Sequence, residues 1–138
     1  MNSTATGNKT ATVKMSATQA NDGYQYRCKI SDGTTTVYSD VATFTYKVEL
    51  KITSQPSDVT QSGGTGTFTV KATGENLTYQ WQYRKTPSSS WVNSTASGNK
   101  TATVKMSATQ ANDGYQYRCK ISDGTTTVYS DIATFNYE

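Results

Sequence analysis

The chain has 138 residues, among them 26 Thr and 10 Tyr but only two Leu, Leu50 and Leu77. Thr and Tyr suit a pleated, half-buried surface whereas helical cores draw on Leu, so composition argues for an all-β protein of one ordinary domain plus a remainder. The net charge of +3 is mild and scattered, which argues against nucleic acid as a partner, and no His is present to act as a general base or metal ligand.

The first element in chain order is a repeat. Asn2–Tyr46 recurs as Asn93–Tyr137 at an offset of 91 residues, and only three of the 45 positions differ: Thr6 against Ser97, Val41 against Ile132 and Thr45 against Asn136. Residues 47–92 occur once, so the order is second half, first half, second half. The expected organisation is therefore residues 1–46 as the C-terminal half of one repeat and 47–138 as a complete domain. Met1 then falls inside a repeat, which makes the start read as the edge of an excised piece. No Gly- or Pro-rich linker separates Lys47 from Val48, so successive repeats would be joined almost directly.

Within the complete unit, Glu49 to Thr53 reads as a strand stopped by Pro56. Thr65 to Thr73 reads as a second, with Phe68, Val70 and Ala72 on one face. Leu77 to Lys85 alternates Leu77, Tyr79, Trp81 and Tyr83 with polar residues, which is a period of two and not helical spacing. A short strand is expected to hold Trp91, and Thr101 to Ser107 gathers Ala102, Val104 and Met106. Tyr115, Tyr117, Cys119 and Ile121 then alternate with Gln116, Arg118 and Lys120. The last strand, Thr127 to Tyr137, changes parity near Ser130 and Asp131, which predicts a bulge.

Short strands with turn signals every eight to twelve residues or so predict a sandwich or barrel. Trp81, followed by Asp113-Gly114-Tyr115-Gln116-Tyr117-Arg118-Cys119, resembles the immunoglobulin-fold pattern. By that resemblance Trp81 packs against the core Cys119, Tyr117 is the tyrosine-corner residue and Asp113 its turn partner, with Tyr26 and Cys28 in the equivalent places of the first copy. With Ile52-Thr53-Ser54-Gln55-Pro56 and Tyr79-Gln80-Trp81-Gln82, the chain is similar to the tandem bacterial immunoglobulin-like repeats of cell-surface proteins of Gram-positive gut bacteria. The resemblance implies an all-β immunoglobulin-like β-sandwich and an extracellular, cell-surface or secreted location. Val70 stands where the partner cysteine would be, so the in-domain disulfide is absent and both cysteines are expected as buried thiols.

No catalytic constellation, metal set or cofactor motif emerges: Asp32 and Asp123 fall in Ser-Asp-Gly turns, and both cysteines lie on an inward strand face. No apolar run reaches the roughly 20 residues of a membrane span, so no membrane insertion is expected. Five Asn-X-Ser/Thr triplets, at Asn2, Asn8, Asn76, Asn93 and Asn99, arise from composition. If the two strands pair as the resemblance implies, their outward side is the candidate ligand face, Gln80, Gln82 and Arg84 beside Gln116, Arg118 and Lys120, with Trp91 nearby. It would take a protein or a glycan, or serve only as a solvated face.

The expected function is a non-catalytic spacer or adhesion module. The alternatives are a carbohydrate-binding module using Trp91 and an engineered domain-swapping assembly. A half-sandwich leaves open edges and cannot bury enough apolar surface alone, so the chain is expected to be a homo-oligomer, a dimer, through its N-terminal half-repeat.

Overall fold

The computed structural model describes Asn2 and residues 4–138, which form two compact units, Met1–Lys47 and Val48–Glu138. The C-terminal unit opens with β5 (Lys51–Ser54), β6 (Val59–Gln61), β7 (Thr65–Thr69) and β8 (Lys71–Thr73). It continues through β9 (Thr78–Arg84), β10 (Val92–Asn93) and β11 (Thr103–Ser107) to β12 (Gln116–Ser122), β13 (Thr127–Tyr129) and β14 (Ala133–Tyr137). One sheet runs β10-β9-β12-β14-β6, with β13 also on β12; facing it are the pairs β7–β11 and β5–β8. This is an immunoglobulin-like β-sandwich, in which two inner faces share one core.

Alternation along each strand decides which side chains enter that core. In β12 the inward parity puts Tyr117, Cys119 and Ile121 inside, while β7 contributes Phe68 and the β7–β8 joint Val70. Trp81, Phe68, Phe135, Ile121, Val70, Val104 and Cys119 are the largest fully buried side chains. Phe68 stacks on Tyr117 at 4.9 Å and lies 6.4 Å from the Trp81 ring. The Trp81 indole N–H donates to the Thr101 carbonyl at 2.8 Å, so the core's largest ring carries no unpaired polar atom.

Several sequence expectations are refined. The first strand does stop before Pro56, but the chain resumes as β6, which pairs in parallel with β14 in the opposite sheet. A proline cannot donate to a ladder, so it suits the point where a strand changes sheets. The expected second strand divides at Val70 into β7, on β11, and β8, on β5. Trp91 precedes β10 instead of lying in it. The final strand is two strands: between them Ser130 turns its hydroxyl inward to accept the Cys119 N–H at 2.8 Å, while Gln55 and Asp58 accept the N–H groups of Asp131 and Thr134.

The N-terminal unit contains β1 (Gln25–Tyr26), β2 (Lys29–Ser31), β3 (Thr36–Tyr38) and β4 (Ala42–Thr43), with β1 on β4 and β2 on β3. Its local bonds duplicate those of the second copy. Asn21 donates its amide to the Ser16 carbonyl at 2.7 Å as Asn112 does to Ser107 at 2.8 Å, and Ser39 accepts the Cys28 N–H at 2.8 Å as Ser130 accepts that of Cys119. What differs is burial: no described residue between Asn2 and Lys47 is buried.

Candidate binding face

The outward residues of β9 and β12 are brought together by an antiparallel register that sets Arg84 opposite Gln116, Gln82 opposite Arg118 and Gln80 opposite Lys120. Long side chains placed directly opposite each other reach across the strand gap. The Arg84 Nε donates to Gln116 Oε1 at 2.8 Å and the Arg118 Nε to Gln82 Oε1 at 2.9 Å, while the Gln82 amide donates to Asn93 Oδ1 at 3.1 Å. Gln80 turns aside to donate to the Trp81 carbonyl at 2.8 Å, and Lys120 stays exposed.

Trp91 lies on this face and not in the core. The Arg84 guanidinium sits 4.6 Å and that of Arg118 4.4 Å from the Trp91 ring centre, and Arg118 also lies 4.3 Å from the Tyr129 ring. Each such cation–π contact contributes about 0.5–1 kcal/mol at an exposed site. The guanidiniums occupy ring surface on which a sugar would stack, so a ligand there would have to displace them. Sequence reasoning missed Tyr129 and Asn93. The signal for Tyr129 was its parity, since it pairs with Lys120 while the half-buried Val128 pairs with Ile121. The N-terminal unit repeats part of the arrangement, with Arg27 4.2 Å from the Tyr38 ring.

Of the residues singled out as fold hallmarks, Trp81, Tyr117 and Cys119 are buried in the core, Asp113 is exposed beside it, and Tyr26 and Cys28 lie in the N-terminal unit, half-buried and exposed. Trp81 and Cys119 are cross-strand partners, both fully buried, and Tyr117 stacks between Phe68 and Tyr83. The Asp113 carboxylate accepts the Tyr137 N–H at 2.9 Å and thereby ties the turn before β12 to the end of β14. Burial pushes the Cys119 thiol up to about 12 and the Tyr117 phenol up to about 12. A thiol held neutral in this way is no nucleophile. Cys28 corrects the expectation of two buried thiols: it is exposed, because no described residue of its unit covers the corresponding face.

Elsewhere the chemistry is that of turns. The Thr35 N–H, then that of Thr34, holds the Asp32 carboxyl below its usual range. Among the described residues no three His, Cys, Asp or Glu side chains gather as a metal site, and no helix is long and apolar enough to cross a membrane. A hollow of about 600 Å³ in the C-terminal unit is lined by Tyr83, Tyr115, Lys85, Lys105 and Asn112, among others. No buried side-chain N or O atom among the described residues lacks a partner, so no desolvated polar group there is left for a ligand to satisfy.

No protein-family model and no curated protein sequence matches the chain. Solved structures do. Immunoglobulin domains 1–5 of Sidekick-1 are 14% identical with a TM-score of 0.53, over 83% of this chain and 25% of theirs. Extracellular domains 3–5 of Drosophila OTK are 16% identical with a TM-score of 0.53, over 83% of this chain and 39% of theirs. The first two immunoglobulin domains of DIP-gamma are 17% identical with a TM-score of 0.50, over 88% of this chain and 62% of theirs. The chain thus spans less than two thirds of each, and at such identities the likeness establishes the immunoglobulin-like fold alone.

Proposed function

We propose that the chain is a non-catalytic structural and adhesion module of an extracellular surface protein built from tandem immunoglobulin-like repeats, holding other domains away from the surface that carries it. The observation that carries this reading is the duplication: 45 residues recur at a spacing of one sandwich domain and fold into the same local hydrogen-bonded structure in both copies. Repetition of a unit whose outward cations and amides bond one another suits a spacer better than a cleft-based receptor. The similarity to repeats of Gram-positive gut bacteria supports a bacterial surface setting. In this reading residues 1–46 are the C-terminal half of a repeat, and bare copies of it pair in a dimer.

Light scattering over a wide concentration range tests the self-associating part: the full chain is expected as a dimer and residues 48–138 as a monomer. A glycan panel tests the functional class. The spacer reading expects no saturable binding, whereas saturable binding abolished by Trp91→Ala would replace it with a carbohydrate-binding module.

A further inference from the structure

Two guanidiniums on the outward side of β9 and β12 are fixed at one end and free at the other. Arg84 commits its Nε to Gln116 and Arg118 its Nε to Gln82; both lie against the Trp91 ring, and Arg118 against Tyr129 as well. Among the described residues the Nη groups of neither arginine meet a hydrogen-bond acceptor. A guanidinium held in this way keeps its outer nitrogens as a fixed fork, the geometry that takes a carboxylate through two parallel hydrogen bonds. The cations also form a row. Arg84 faces Gln116 and is therefore diagonal to Arg118, about 7–8 Å away along the sheet, and Lys120 follows on the same side of β12 at about 6.6 Å. Lys120 in turn lines a hollow of about 480 Å³ with Lys100, Gln80 and Asn93, and no acidic side chain is among its walls. No Asp or Glu occurs in β9, β10, β12 or β13.

We propose that this face docks an acidic protein segment in extended conformation, whose carboxylates at alternate positions meet Arg84, Arg118 and Lys120 in turn. Alternate residues of an extended chain lie about 6.6 Å apart on one side, so such a segment keeps step with the row. The inference rests on the adhesion reading and supplies its partner. Three observations select a protein carboxylate as the occupant. Trp, Tyr and Arg gathered on an open surface are the residues that dominate binding between proteins. A sugar would have to displace the guanidiniums from Trp91, whereas a carboxylate adds to them where they lie. A second copy of the same face would set cation against cation.

The probe is a synthetic peptide alternating Glu and Thr, titrated into the full chain. Tryptophan fluorescence reads the binding, because Trp91 lies on the face while Trp81 is fully buried, and Arg84 and Trp91 belong to the segment that occurs once. Saturable binding is expected, on the order of tenfold tighter than that of the same peptide with Gln in place of Glu, since charge-assisted hydrogen bonds then become neutral ones. A chain with Arg84→Lys and Arg118→Lys keeps every charge but loses both forks, and should bind the Glu peptide on the order of tenfold more weakly. Lys51→Gln, on the opposite sheet, should leave the affinity unchanged. Absent binding, equal binding of the Glu and Gln peptides, or full affinity in the lysine variant overturns the inference and leaves the spacer reading standing. A sulfated oligosaccharide that binds more tightly than the peptide, and is lost on the same substitutions, would assign the face to an acidic glycan; that result overturns the inference and the spacer reading together.

Discussion

Cys28 and Cys119 occupy the same position in two copies of one sequence, yet one thiol meets water and the other is sealed beneath Trp81 and Phe68. Ellman-type titration at pH 8, at concentrations where the chain is monomeric, should count one reactive thiol per folded chain and two in denaturant. The sign of the alkaline response follows from the raised values of Cys119 and Tyr117. Both groups bind protons more tightly folded, at about 12, than at their ordinary values of 9.0 and 10.0. Their contribution to stability is therefore complete below about pH 9 and is lost as pH rises toward 12. The double variant Cys119→Ala, Tyr117→Phe should flatten that decline, as read from urea midpoints across the range. Trp81→Ala empties the centre of the core and should cost about 3–5 kcal/mol in the same assay.

The two copies separate local coding from tertiary coding at the level of elements. Turns, side-chain clasps and short hairpins appear twice, because each is closed by residues near in sequence: Asp32 accepts the Thr34 and Thr35 N–H groups as Asp123 accepts those of Thr125 and Thr126. Gly98, at φ +78°, belongs to this class; a Cβ there would run into the Thr103 carbonyl. Gly98→Ala should thus lower stability by more than about 1 kcal/mol, whereas Gly124→Ala, whose Cβ would meet open space, should cost only the left-handed backbone strain. The break between β13 and β14 depends on Ser130, whose hydroxyl bridges the Cys119 N–H and the Asp131 carbonyl. Ser130→Ala leaves a buried N–H without its acceptor and should cost about 1–3 kcal/mol.

For the whole molecule, the C-terminal unit has a closed core and the N-terminal unit has none among its described residues. A chain of this kind should not unfold as one cooperative system. Calorimetry of residues 48–138 is expected to give a single two-state transition, and its enthalpy should account for nearly all of that measured for 138 residues at concentrations where the full chain is monomeric, because burial is what supplies the enthalpy and heat capacity of unfolding. A full-chain enthalpy clearly larger than that of the fragment would show that the N-terminal unit has found a covering partner, most simply a second copy.

The sequence by itself determined the β class, the inward parity of Trp81, Tyr117, Cys119 and Ile121, the outward parity of Gln80, Gln82, Gln116 and Arg118, and the repeat. Each of these is written in composition, period or spacing. It marked a parity change near Ser130 and Asp131, where β13 gives way to β14, but it did not reveal that the Ser130 hydroxyl holds the Cys119 N–H there, that Pro56 hands the chain to the other sheet, or that two arginines lie over Trp91, since those depend on tertiary contacts. Nor could it decide whether Thr-Val-Lys-Met-Ser forms a strand, because the same five residues do so at Thr103–Ser107 and not at Thr12–Ser16. A strand's existence and a side chain's burial require a partner, and only the tertiary structure decided which copy had one: residues 48–92 can cover a single face, and they cover the second.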